Sequence, residues 1–375
     1  MAAAREHQVV IAAGGTAGHV VPALAVADAL RAEGASVSFL GTRDRAEARL
    51  VPAAGYEIDF LELRGLDRSN PVRAAGALAL AARAVPAARK ALRARGAQAV
   101  LGGGGYVAGP AGLAAIAAGL PLVLTEADRH IGLTNRILAR RAQRVCLAFP
   151  IAGRGGDRYL VTGRPIPADI VGADRSAARG RFQIAPSDRC LLVFGGSQGA
   201  RSINLCSIDA FGGEDAPRRD FHVLHISGSR DYPMLRERLD SGRDVARYSL
   251  LEYEPTMAEA LAACDLVLAR SGGSIFKIAA ARRPAILVPY PHAAGRHQHA
   301  NAQWMTEAGA AISIEDSELE PPRLRELSAR LLGESGTQEL AAMAAASLGL
   351  ARPDAAALVA SELLGAIRNP ENLSR

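Results

Sequence analysis

Two glycine-rich turns stand about half a chain apart, Gly14-Gly15-Thr16-Ala17-Gly18-His19 and Gly195-Gly196-Ser197-Gln198-Gly199-Ala200. Each follows a short apolar run and opens a helix-like stretch. Glycine lets backbone N–H groups come close to an anion, and a helix N-terminus adds partial positive charge there. Such a turn is built for a phosphate. Two of them, each opening its own α/β unit, point to twin Rossmann-like domains facing one another across a cleft. His19 falls at the start of the first helix, where a neutral imidazole can take the proton of an attacking hydroxyl. The order GGTAGH breaks the GxGxxG fingerprint, which argues against a nicotinamide cofactor.

Further clusters follow the same logic. Gly102-Gly103-Gly104-Gly105-Tyr106-Val107-Ala108-Gly109-Pro110 also ends a strand and opens a helix, and Tyr106 adds an aromatic face and a hydroxyl. Thr125-Glu126-Ala127-Asp128 places carboxylates at a strand end, where an open α/β sheet has its binding crevice; either acid can orient an acceptor or serve as base. Arg270-Ser271-Gly272-Gly273-Ser274 is another turn suited to an anion, with a cation beside it. His292, His297 and His299 share one loop with Gln298 and Asn301, polar groups able to read sugar hydroxyls. No carboxylate stands at ligand spacing there, so no zinc site is expected. There is no GxSxG elbow and no Walker lysine pattern.

These residues need a frame, and the alternation of apolar runs with helical stretches supplies it: βαβ units with parallel sheets. Strands are expected near 8–13, 37–41, 57–61, 98–102, 120–124, 143–147 and 158–162, then near 190–194, 221–226, 246–249, 265–268, 285–288 and 310–313. Helices fall near 20–33, 44–54, 71–95, 107–118 and 131–141, then near 199–210, 231–239, 256–262, 274–281, 296–308, 320–333 and 336–347. Thr162-Gly163-Arg164-Pro165-Ile166-Pro167 reads as the interdomain hinge, giving domains 1–163 and 164–350. A last helix over 353–368 is expected to pack back on the first domain.

With 375 residues the chain is long enough for two cores, and 4% aromatics make those cores aliphatic. The net charge of +6 suits nucleotide phosphates or an anionic lipid surface. Basic residues over Arg73–Arg95 read either as an ordinary amphipathic surface helix or as a patch resting on anionic lipid headgroups; they lack interleaved aromatics, so nucleic acid is rejected as a partner. Cys146, Cys190, Cys206 and Cys264 are scattered, the pattern of buried, reduced thiols. The uncharged stretch Ala108–Thr125 is broken by Pro110 and Pro121 and reads as a buried helix and a strand, not a membrane span.

In order and spacing, GGTAGHVVPA at 14–23, GGGGYVAGP at 102–110, GGSQGA at 195–200 and HQHANA at 297–302 resemble the MurG family over nearly the whole chain. The resemblance implies a GT-B glycosyltransferase that moves N-acetylglucosamine, with inversion, from UDP-GlcNAc to undecaprenyl-diphosphoryl-muramoyl-pentapeptide, making lipid II for peptidoglycan. It implies an acceptor-binding first domain, a donor-binding second domain, and a peripheral place on the cytoplasmic side of the plasma membrane, against its anionic surface. It assigns donor contacts to Thr16, Ala17, Gly18, Asp128, Arg164, Ser197, Glu254, Arg270, Gly273, Ser274, Lys277 and Gln298. Acceptor contacts fall to Gly104, Gly105 and Tyr106, and the catalytic candidates are His19, Glu126 and Asp128. No cofactor is expected, since no DxD motif stands where it would hold a metal.

The chain departs from the family pattern at Ala17, at the acidic Asp128, and at Arg164, where the hinge cation is displaced. Lys277 occupies the place of a glutamate that accepts from ribose hydroxyls, which an ammonium cannot do. Other readings stay open at this point: another GT-B transferase on a lipid acceptor, a UDP-GlcNAc epimerase, or a non-catalytic relative that only binds.

Overall fold

The computed structural model describes residues 7–64, 71–196, 199–213, 216–242 and 245–369. The chain divides into two compact units: unit 1 comprises Met1–Pro167 with Arg352–Arg375, and unit 2 comprises Ala168–Ala351.

Unit 1 runs β1 (Gln8–Ala12), α1 (Ala17–Ala32), β2 (Ser36–Gly41), α2 (Ala46–Ala53), β3 (Glu57–Phe60) and α3 (Pro71–Ala94). It continues with β4 (Ala99–Gly102), α4 (Ala108–Ala117), β5 (Leu122–Glu126), α5 (Leu133–Leu138), β6 (Arg144–Leu147) and β7 (Tyr159–Val161). All neighbours are parallel, in the order β3-β2-β1-β4-β5-β6-β7. Val9, Val10 and Ile11 are buried in succession, the continuous apolar run of a strand covered on both faces. Strand order reverses between β1 and β4, so the turns after these two strands lie side by side at the carboxyl edge.

Unit 2 runs α6 (Asp169–Gly172), α7 (Arg175–Arg181), β8 (Arg189–Phe194), α8 (Arg201–Phe211), β9 (Phe221–Ile226), α9 (Tyr232–Asp240), β10 (Tyr248–Leu251) and α10 (Met257–Ala263). Then come β11 (Leu266–Ala269), α11 (Ile275–Ala280), β12 (Ala285–Leu287), α12 (His297–Glu307), β13 (Ala311–Ser313), α13 (Pro321–Leu332) and α14 (Thr337–Leu350). Its parallel order is β10-β9-β8-β11-β12-β13, with the reversal between β8 and β11. The same rule therefore pairs the turn after β8 with the loop Arg270–Ser274.

The final helix, α15 (Ala355–Arg368), returns to unit 1 and packs on α1. Ala356, Val359, Ala360, Leu363 and Leu364 join Val9, Ile11, Val20 and Val26 in one buried cluster. Burying each larger aliphatic side chain contributes about 1.5–3 kcal/mol, which holds this distant segment in place.

Two expectations need correction. The first unit ends at Pro167, not at residue 163. Arg164 belongs to unit 1 because its guanidinium is anchored there, as described below. Helices α6 and α7 were also missed. Asp174 caps α7 by accepting from the Ala177 N–H at 2.7 Å, and Arg175 and Arg179 then tie the helix to the carbonyls of Ala262, Ala263 and Cys264. The four cysteines are buried and free.

Candidate active site

The switch point of unit 1 holds a cavity of about 290 Å³ lined by Gly18, His19, Gly104, Gly105, Tyr106, Glu126, Asp128, Asn135 and Arg164, among others. Residues chosen from four separate sequence segments thus meet in one place. Close backbone approach is what makes this possible. A Cβ on Gly105, at φ +75°, would lie 2.1 Å from the Gly14 carbonyl oxygen. One on Gly104, at φ +99°, would lie 2.7 Å from the His19 ring. Only glycine lets the two turns nest and leaves the imidazole its position. Thr16 and Ala17 open α1; Thr16 takes the N-cap place without capping through its side chain.

His19 is half-buried, and its Nδ1 stands 3.3 Å from the Thr16 hydroxyl. Burial, then the nearby Arg164 charge, pushes its pKa below the ordinary histidine value, while Asp128, the Gly14 carbonyl and Glu47 partly oppose this. At neutral pH the ring is therefore uncharged and able to accept a proton.

Arg164 reaches this cavity for a traceable reason. Pro22 lies inside α1 and has no N–H, so the Gly18 carbonyl one turn earlier lacks its helical donor. The Arg164 guanidinium donates to that carbonyl instead. The cation is thereby held beside His19 and Asp128.

Glu126 does not fit the expectation of a base. It is buried, and its Oε1 accepts from the N–H groups of Ala127 at 3.0 Å and Asp128 at 3.3 Å. Its Oε2 accepts from Gly132 N–H at 2.9 Å and Asn135 Nδ2 at 3.0 Å. Four donors occupy the carboxylate, so it shapes the loop that carries Asp128 and has no free oxygen for a substrate proton. Asn135, whose amide also donates to the Thr125 carbonyl, was not foreseen.

Gly15 also departs from expectation. Its N–H donates to Oε2 of Glu47 at 2.9 Å, not into the cavity. Glu47, in the first turn of α2, is fully buried and escaped the sequence reading. The only signal was an acid five residues after Thr42, just past a strand ending in glycine.

In unit 2, Ser197 lies outside the described residues, as does its neighbour Gln198 of the same turn. Arg270 is not aimed at a ligand. It is 9% exposed, and its guanidinium donates to the carbonyls of Val288 at 3.2 Å and Pro289 at 3.3 Å, to the Ser202 hydroxyl at 2.8 Å and to Asp316. It joins the ends of β11 and β12 to α8 through both terminal nitrogens, a structural duty. Glu254 is likewise turned inward, accepting from Arg181 at 2.7 Å and from Thr256 N–H at 2.7 Å.

The rest of the loop after β11 stays together. The Ser271 hydroxyl donates to the Gln298 carbonyl at 2.7 Å, and Asn301 Nδ2 donates to the Ser271 carbonyl at 2.9 Å. Gln298 Oε1 accepts from Tyr290 N–H at 2.9 Å. Gly273 and Ser274 precede α11, the Ser274 hydroxyl donating back to the Arg270 carbonyl at 3.2 Å, and Lys277 is half-buried within that helix. Among the described residues, no group of three His, Cys, Asp or Glu side chains is placed to hold a metal ion.

Beneath the turn after β8 runs an unforeseen buried chain. His225 is fully buried, which pushes its pKa down to about 3, so the ring is neutral. Asn204 Nδ2 donates to the Ser227 carbonyl at 2.9 Å and to Asp231 at 2.9 Å, which leaves Oδ1 to accept from His225 Nε2 at 3.0 Å. His225 Nδ1 must then accept from the Tyr248 hydroxyl at 2.7 Å. The chain ends on Asp231, which pairs with Arg201 and Arg230 at 3.3 and 3.2 Å.

Two doubly wound parallel-sheet units, each with a glycine turn at its switch point, make the GT-B architecture of nucleotide-sugar enzymes. The chain matches the glycosyltransferase family 28 N-terminal domain over residues 9–147 and the family 28 C-terminal domain over residues 190–359. A UDP-N-acetylglucosamine--N-acetylmuramyl-(pentapeptide) pyrophosphoryl-undecaprenol N-acetylglucosamine transferase of Moorella thermoacetica is 38% identical, covering 96% of this chain and 100% of the relative. The protein of that name from Halorhodospira halophila is 43% identical, covering 94% and 96%. The crystal structure of Acinetobacter baumannii MurG superposes with a TM-score of 0.75 at 29% identity, covering 96% of this chain and 99% of that one. The chain belongs to the MurG family of N-acetylglucosamine transferases.

Proposed function

We infer that this protein transfers N-acetylglucosamine from UDP-GlcNAc to the 4-hydroxyl of the muramoyl-pentapeptide of lipid I, forming lipid II. The observation that carries this is the cavity of unit 1, where His19, Tyr106, Asp128 and Arg164 converge, in a chain so similar to transferases of that name. Unit 1 takes the acceptor and unit 2 the donor. The acceptor hydroxyl gives its proton to neutral His19 as its oxygen attacks the anomeric carbon. The bond to the diphosphate breaks on the opposite side, UDP leaves with the electron pair, and the new linkage is β. Asp128 and Arg164 set the charge around the base. Backbone N–H groups at the glycine turn after β8 stabilise the departing diphosphate, a contribution larger than one proton transfer. This reading calls for no cofactor.

No described helix is long and apolar enough to cross a membrane. Exposed Leu113, Leu133 and Ile137 on α4 and α5 accompany exposed Arg136, Arg140 and Arg141. We assign this mixed apolar and basic face to the anionic cytoplasmic surface of the plasma membrane, where the lipid substrate lies. Incubation with labelled UDP-GlcNAc and a soluble lipid I analogue tests the activity. A labelled disaccharide supports it, whereas release of UDP and free sugar alone, or no turnover, overturns it.

A further inference from the structure

The hydrogen-bond directions behind the unit 1 cavity can be assigned one by one. Glu47 Oε1 accepts from Thr42 N–H at 3.0 Å and from the Thr42 hydroxyl at 2.7 Å. Its Oε2 accepts from Gly15 N–H at 2.9 Å. The carboxylate takes three hydrogen bonds and returns none. Thr42 has a single hydroxyl proton, and Glu47 holds it. The 3.2 Å contact between the Thr42 and Tyr106 hydroxyls therefore has one possible sense: Tyr106 donates and Thr42 accepts. Thr42 is 1% exposed and Glu47 is not exposed at all, so water does not compete for these groups. Tyr106 itself reaches the cavity wall, and its ring packs against the Gly14–Gly15 turn, where a Cβ on Gly15 would stand 3.3 Å from the ring.

We propose that Glu47 is a positioning residue that sets the hydrogen-bond polarity of this wall. Through Thr42 it turns the Tyr106 proton away from the cavity, and it draws the Gly15 N–H the same way. Where the Tyr106 hydroxyl meets the cavity, it presents an oxygen that accepts. It therefore reads a donor on a neutral carbohydrate, a hydroxyl or an acetamido N–H, and does not read a phosphate oxygen. This rests on the assignment of the unit 1 cavity to the acceptor.

The test is steady-state transfer from UDP-GlcNAc to a soluble lipid I analogue, with KM taken for each substrate. Glu47→Gln is the obvious variant, but it leaves a buried donor facing donors and can fail to fold. Thr42→Val removes only the relay, Thr42→Ser keeps it, and Tyr106→Phe removes its far end; thermal melts show which variants are folded. Thr42→Val and Tyr106→Phe are each expected to lower kcat/KM for the acceptor about tenfold, with KM for UDP-GlcNAc within about twofold of the parent. The double variant should be no worse than either single one, and Thr42→Ser should retain activity. A silent Thr42→Val beside an impaired Tyr106→Phe, or losses that multiply in the double variant, overturns the relay while leaving the acceptor site standing. A silent Tyr106→Phe overturns the acceptor assignment and the relay with it.

Discussion

Replacing Glu126 with glutamine separates a loop-shaping carboxylate from a catalytic base. In the native protein two donors converge on each oxygen: the N–H groups of Ala127 and Asp128 on Oε1, and Gly132 N–H with Asn135 Nδ2 on Oε2. A glutamine must put its NH₂ on one side or the other. On the first side it confronts two backbone donors that cannot turn away. On the second it confronts Gly132 N–H and an asparagine amide already committed to the Thr125 carbonyl. Either way two buried or half-buried donors lose their acceptor, at about 1–3 kcal/mol each. The expected loss is about 2–6 kcal/mol, a large share of a domain's ~5–15 kcal/mol stability. Urea unfolding of the whole chain measures it. Turnover should fall because Asp128 rides on the disturbed loop, UDP affinity by calorimetry should hold, and the acid limb of the pH–rate profile should persist. If stability is unchanged while turnover and that acid limb both vanish, Glu126 is the base and the account above is wrong.

Three further outcomes are expected. His19→Ala should lower kcat by about 10²–10⁴ with little change in UDP binding; because burial depresses the His19 pKa, the acid limb of the parent enzyme should lie below the ordinary histidine value of 6.5, and near-normal turnover of the variant would remove His19 as base. Lys277→Glu should tighten UDP by supplying acceptors for ribose hydroxyls, and unchanged or weaker affinity in calorimetry would show that this position does not face the ribose. His225 is held neutral when folded, with its pKa pushed to about 3 from 6.5. The unfolded chain binds that proton first, so the stability this group contributes is complete above pH 6.5 and drains away as pH falls towards 3, at ~1.4 kcal/mol per pH unit; a urea midpoint that stays flat from pH 7 to 4 would contradict the buried chain.

Much of the frame could be read from residue order, because glycine clusters at strand ends are local signals and the switch-point rule converts them into neighbours. That is why His19, Gly104 and Tyr106, from turns far apart along the chain, line one cavity. What escaped was the half of each interaction that lies far along the chain. Arg270 beside a glycine turn looks the same whether it faces a ligand or a sheet; its partner Asp316 decides, 46 positions away. Arg164 was seen as a displaced cation, but the vacancy it fills is a carbonyl orphaned by Pro22, 146 positions from it at Gly18. Glu47 reads as an ordinary acid in a helix's first turn until Gly15 and Thr42 close over it. Helix α6 is four residues long, too short to show a period, and α7 carries arginine and glycine where apolar periodicity would have announced it.

The seat of α15 against α1 has a consequence for how the protein is born. Ribosomes deliver residues in order, so all of unit 2 emerges before the segment that seals the apolar flank of unit 1. Until then Val20 and Val26 have no lid. Unit 1, although made first, is the last to be finished, and the nascent chain must be kept from sticking through that flank while unit 2 is still being translated.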